Sequence, residues 1–235
     1  MSYIYFTNIN ETKNFGYKPT PIIFSDNDVY INYDKWESGE IKSLIVIALS
    51  GSGKSTLSKQ LADKYNGYYI SIDVLSFKIS SLHPNRANFE YIKENDKYLY
   101  KYLKEKDLPP TLISKYKDPY DKNKCKEIDP YIKWLCFERN DLDTNRVVID
   151  GADAAVSIAN VKELTKVPII IKGTSLLTAM LRRMGRIANE DNYLKAIQIA
   201  FKNFYSQYNK MYKELDRARK ASMEQEYDER EENKI

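Results

Sequence analysis

The stretch that decides the fold is "IVIALSGSGKST", Ile45 to Thr56. Its first half continues an apolar run that begins at Ser43, the signature of a strand buried on both faces. Its second half is a turn of glycines and serines, and from about Lys54 to Tyr65 the pattern becomes helical. Ala48 to Ser55 fits the pattern G-x-x-x-x-G-K-[ST], with alanine in the first place. Gly51 and Gly53 let the backbone curl so that successive N–H groups point inward, and the helix start adds partial positive charge. Such a turn suits phosphate. Lys54 offers a mobile cation, Ser55 a hydroxyl for Mg²⁺, and Ser50, Ser52 and Thr56 complete the wall of the candidate site.

Outward from this turn, strands and helices alternate. "YYISI" (68–72), "RVVID" (146–150) and "VPIII" (167–171) read as further strands, so an α/β fold with a parallel sheet and helices on both sides is expected. Asp150 ends its strand and is placed to hold the metal with Ser55. Gly151 follows it, where a water-activating glutamate would suit a motor ATPase, and leaves room for an acceptor. Asp73, 19 residues after Lys54, ends the "ISID" run at the expected edge of the sheet. A carboxylate there can take the proton of an attacking hydroxyl, with Ser71 and Ser76 close in sequence. After the fourth of these strands, "KGTSLLTAMLRRMGR" reads as a helix capped by Thr174 or Ser175. It carries Arg182, Arg183 and Arg186, cations suited to the charge that spreads over a transferring phosphoryl group.

The remaining sequence frames this core. Residues 1–40 carry short β-like runs, among them "DVYINY" at 28–33, and read as an N-terminal arm or β-ribbon. Residues 83–139 form a lysine- and tyrosine-rich, mostly helical insert with 13 Lys and Arg against 10 acids. Its tyrosines, including Tyr98, Tyr100 and Tyr102, allow a nucleic-acid acceptor as a weakly supported option. From Glu190 to Arg219 an amphipathic helix is expected, with Met211, Tyr212 and Leu215 in its apolar stripe. Residues 221–235 carry six acids and two bases, so they read as a solvated acidic tail.

Composition sets wider limits. The chain has 235 residues, 43% apolar and 30% charged, which suits one domain with a sizeable insertion, or two small ones. The net charge is +4; the tail contributes −4, so residues 1–220 carry +8, a balance that suits an anionic ligand. Cys125 and Cys136 make neither a disulfide framework nor a zinc site. With no signal peptide and no apolar run near the roughly 20 residues of a membrane span, a cytoplasmic location is expected.

On these residues the chain resembles the P-loop kinase family, which includes shikimate and gluconate kinases, adenylate kinase, zeta toxins and 5′-polynucleotide kinases. The resemblance covers roughly 43–82 and 146–190. It implies a three-layer P-loop NTPase fold for 41–220, with 83–139 as substrate-binding insert, 173–190 as lid and a helical C-terminus. It also implies ATP and Mg²⁺ as cofactors, ATP rather than GTP because no N-K-x-D guanine motif is present. By resemblance Lys54 and Ser55 are the turn's lysine and Mg²⁺ ligand, and Asp150 is the metal-site aspartate. Asp73 is the acceptor base, and Arg182, Arg183 and Arg186 are lid arginines. Three functions follow as expectations: phosphoryl transfer from ATP to a hydroxyl, transfer to a nucleoside monophosphate with Arg86 or Arg139 on its phosphate, or a non-catalytic nucleotide-binding switch. The family carries a fifth strand after the lid, where this chain reads as helix; either the N-terminal arm supplies that strand or the sheet stops at four.

Overall fold

A computed structural model of the protein describes residues 26–72, 89–110, 128–139, 146–175, 177–179, 181–182 and 210–228. Asp73, Arg183, Arg186, the stripe expected over 190–209 and parts of the arm, insert and tail lie outside the described residues.

The fold is α/β, with a five-stranded, mostly parallel sheet. Its strands are β1 (Val29–Ile31), β2 (Ser43–Ile47), β3 (Tyr68–Ser71), β4 (Val147–Asp150) and β5 (Ile169–Ile171), in the spatial order β1-β5-β2-β4-β3. β2 lies inside the four parallel strands, paired on both sides, which is why all five of its residues are buried. Its side chains alternate between the two faces. Leu44 and Val46 pack with Leu57, Leu61 and Ala62 of α2 (Lys54–Lys64). Ile45 and Ile47 meet the other core, with Ala154, Val156 and Ile158 of α6 (Ala152–Asn160). Helices therefore cover both faces.

The fifth strand comes from the N-terminal segment. β1 pairs antiparallel with β5, Val29 opposite Ile171 and Ile31 opposite Ile169. Just after it, α1 (Tyr33–Ser38) drops Trp36 into the α2 face of the core with no exposure. Residues 28–38, which the sequence places in an arm before the domain, thus belong to its sheet and core. Removing an indole buried in this way costs about 3–5 kcal/mol.

The described parts of the insert are helical: α3 (Phe89–Asn95), α4 (Lys97–Glu105) and α5 (Asp129–Lys133), the last running into a π turn over Trp134–Glu138. They pack against the starts of the strands. Ser43 Oγ, at the start of β2, donates to the Leu135 carbonyl at 3.0 Å, and Tyr68, at the start of β3, sits edge-on to Tyr98. Tyr98 and Tyr102 are buried in the core, so they offer no open face for stacking a base.

Residues 210–228 form a further helix, α7, that buries Met211, Leu215, Ala218 and Ser222 at helical spacing. Two expectations change here. Tyr212 is exposed rather than part of the stripe, and the helix runs on through the first acidic residues of the tail. Among the described residues no helix is long and apolar enough to cross a membrane.

Candidate functional site at the strand ends

Parallel pairing brings the ends of four elements to one edge. Val46 is level with Asp150, Ser71 with Asp150, and Ile47 with Ile171. Because β1 is antiparallel, its beginning, Asn27 and Asp28, arrives at the same edge. A ligand site is expected where an α/β sheet presents its carboxyl ends.

The turn from Ala48 to Gly53 leaves β2 here. Gly51 and Gly53 adopt left-handed φ values of +91° and +88°, which residues with a Cβ rarely take. Ser52 N–H donates to the Leu49 carbonyl at 3.1 Å and tightens the curl, and the Ser52 hydroxyl is buried with no partner among the described residues. Gly53 caps α2 with no side-chain hydrogen bond, and the first turn of α2 carries no acid. The first N–H groups of a helix have no acceptor within it, and their dipole adds positive charge. Lys54, itself buried, adds another cation at that end. By electrostatics alone this place favours an anion. Ser55 is partly covered and Thr56 is exposed.

Asp150 is fully buried beside the turn. Tyr69, on the α2 face of β3, donates its hydroxyl to both oxygens of that carboxylate at 3.3 Å and also meets the hydroxyls of Ser55 and Ser71. Burial, reinforced by the charge of Asp150, holds the phenol far above its ordinary pKa. Tyr69 therefore remains a donor at any physiological pH and ties Ser55 to Asp150. The sequence reading missed it: "YYISI" marks a strand, and only the register shows which tyrosine shares a face with Asp150.

Ser55 and Asp150 together supply one hydroxyl and one carboxylate. No group of three or more His, Cys, Asp and Glu residues is placed to hold a metal among the described residues. A hard cation here would take most of its oxygens from phosphate and water, the usual arrangement for Mg²⁺. The donor set fits that ion, and the unpartnered Ser52 hydroxyl fits a ligand in the turn.

Beyond β5, residues 172–175 and 177–179 lie over the turn. Lys172 N–H donates to the Ile47 carbonyl at 3.0 Å, and the Thr174 hydroxyl reaches the Ser52 carbonyl at 3.4 Å. Ser175 caps the next helical turn by accepting from Thr178 N–H at 3.2 Å. Ala179 presses so closely that a Cβ on Gly51 would stand 2.2 Å from its carbonyl oxygen. Leu177, Leu181 and Arg182 are exposed. Of the three expected arginines, Arg182 alone is described, just beyond the 177–179 segment that touches the turn.

The remaining expected residues scatter. Arg139 lies over the Tyr98 ring, 5.8 Å from its centroid, at the end of the sheet where β3 starts and away from the turn. A cavity of about 370 Å³ opens between the insert and the end of α6, lined by Tyr102, Lys106, Asp129, Lys133, Val161 and others, with no residue from the turn.

In sequence comparisons, no protein-family model matches this chain and neither does any curated protein. The assignment of a function therefore rests on the residues at the strand ends.

Proposed function

We propose that the protein is an ATP-dependent phosphotransferase of the P-loop kinase type, moving the γ-phosphate to a hydroxyl acceptor. The observation that carries this reading is the left-handed, doubly glycine turn between a wholly buried strand and a helix that starts with buried Lys54, with Asp150 and Ser55 linked through Tyr69 beside it. An anion-favouring turn next to a single carboxylate and a hydroxyl is the arrangement that nucleotide phosphates with Mg²⁺ require.

In this reading the N–H groups of the turn and Lys54 bind the phosphates and hold the transferring group in place. Ser55 and Asp150 hold Mg²⁺, which when bound neutralises charge on the phosphate oxygens. Asp73 accepts the proton of the acceptor hydroxyl, and Gly151 leaves space for that acceptor. Segment 173–190, with Arg182, Arg183 and Arg186, closes over the site and excludes water, which suppresses hydrolysis. The position of Arg139 at the far end of the sheet weighs against a nucleoside monophosphate acceptor gripped by that residue.

The test is transfer of labelled γ-phosphate from Mg·ATP to 5′-hydroxyl oligonucleotides, nucleosides, nucleoside monophosphates, sugars and polyols. A labelled product is expected, lost in Asp73→Asn and reduced about 100-fold or more in Lys54→Ala, with the fold of both retained by circular dichroism. ATP binding with no product from any acceptor would instead favour the non-catalytic switch, and full turnover by Lys54→Ala would overturn the site.

A further inference from the structure

Among the described residues at this edge, Lys172 is a cation whose chemistry the proposed reaction does not use. It follows β5 directly, and its backbone is fixed by the bond from its N–H to Ile47, the last residue of β2 before the turn. Its side chain runs past the turn: a Cβ built on Gly53 would meet Lys172 Cε at 3.8 Å and nothing closer. The lysine side chain is only 14% exposed, and its ammonium group lies 3.4 Å from Asp28 Oδ2.

Asp28 is held independently. Its other oxygen accepts from Gly173 N–H at 2.8 Å, and Tyr30 Oη donates to Oδ2 at 3.4 Å. Burial, with Asp28 beside it, pushes the Tyr30 phenol up to about 12, so it too stays a donor. The Asp28 side chain is fully buried. Two neutral donors hold it in place besides Lys172, while the lysine stem is long enough to swing by a few ångströms. A buried ion pair is costly to build and contributes little net stability, so its retention beside an anion-favouring turn calls for another role.

We propose that Lys172 is a second phosphate-binding cation of the nucleotide site, approaching from the Gly53 side, and that Asp28 of the N-terminal segment is its positioning residue. The inference rests on the nucleotide-site reading above. It makes the strand β1 a working part of the site: antiparallel pairing delivers Asp28 to the edge that the four parallel strands alone could not equip with this carboxylate.

The experiment is equilibrium binding of ATP and of adenosine to the full chain, at several salt concentrations. Variants are Lys172→Met, Lys172→Arg, Asp28→Asn and the double Asp28→Asn/Lys172→Met, which removes both charges and so avoids a lone buried carboxylate. Lys172→Met and the double variant are expected to weaken ATP about 10- to 100-fold, the scale of one charge-assisted contact, and to leave adenosine unchanged. Their ATP affinity should also fall less steeply with salt. Lys172→Arg should restore most of the affinity, and Asp28→Asn should cost a smaller factor for ATP alone. ATP binding within twofold of wild type in a folded double variant would overturn the proposal. Equal losses for ATP and adenosine would do the same by showing a purely structural role. If the wild-type chain binds no ATP, the nucleotide-site reading itself fails and takes this inference with it.

Discussion

Two sets of charged residues in this molecule are treated in opposite ways. Around the glycine-rich turn, Asp28, Lys54 and Asp150 are withdrawn from water and Lys172 nearly so. Around the helical insert, Lys106 pairs with Glu138 and Lys133 with Glu163, both at 2.8 Å, with side chains 37–57% exposed. The exposed pairs are screened by solvent and leave their residues well hydrated. The buried charges carry a desolvation cost of several kcal/mol per ion before pairing offsets it. Buried charges also occur in the insert, at Asp96, Asp129 and Arg139, but those at the turn share one edge with a helix start and two left-handed glycines. What sets the turn apart is that shared edge rather than burial alone.

Gly51→Ala strikes the contrast hardest. Alanine is strained at φ +91°, and its methyl would collide with the Ala179 carbonyl, so turn and covering segment must part. The expected stability loss is about 1–3 kcal/mol. ATP affinity should fall at least about 100-fold, the scale of two charge-assisted hydrogen bonds. Calorimetric titration with melting curves checks both, and near-normal ATP binding would show that the turn does not hold the phosphates.

Tyr69→Phe is the subtler probe of the same edge. It removes a buried donor from Asp150 and should cost about 1–3 kcal/mol of stability. It should also raise the Mg²⁺ concentration needed for tight ATP binding several-fold, while ATP affinity without Mg²⁺ stays level. Loss of ATP affinity irrespective of Mg²⁺ would assign Tyr69 to the shape of the turn instead.

How much of this was legible in the sequence follows from what local pattern encodes. The all-buried run 43–47 and the spacing from Gly51 to Ser55 announce strand, turn and helix because each signal is contiguous. Asp150 was legible for the same reason, as the last residue of such a run. Tyr69, Asp28 and Lys172 were not. Their meaning depends on register: β3 must slide until Ser71 meets Asp150, and β1 must pair antiparallel with β5 before Asp28 reaches Lys172. Strand propensity alone does not announce either pairing. The insert's tyrosines depend on tertiary placement in another way. Its alternating tyrosines and lysines look like a stacking surface, but helical periodicity turns Tyr98 and Tyr102 inward against Tyr68, Tyr131 and Trp134, and leaves Lys101 and Lys104 toward the outside.

Asp129 tests the comparison from the insert side, where the smallest effect is expected. Its carboxyl group is buried and receives a hydrogen bond from the Ser157 hydroxyl. Burial raises its pKa above the ordinary 3.8, and the Ser157 bond opposes the rise only in part. The folded state therefore binds this proton more tightly than the unfolded chain does. Linkage then makes the group a liability that is absent below the ordinary carboxyl pKa, grows as pH rises toward the raised folded value, and persists above it. The substitution Asp129→Asn keeps an oxygen for Ser157 and loses the charge, so this variant should melt at or above the wild-type temperature at pH 7. The gap should close as pH falls below the ordinary carboxyl range. Melting curves of both proteins from acid to neutral pH read this directly. A variant less stable than wild type by the same margin at every pH would mean that the carboxyl group is needed where it lies, and the insert would then hold a polar site of the kind found at the glycine turn.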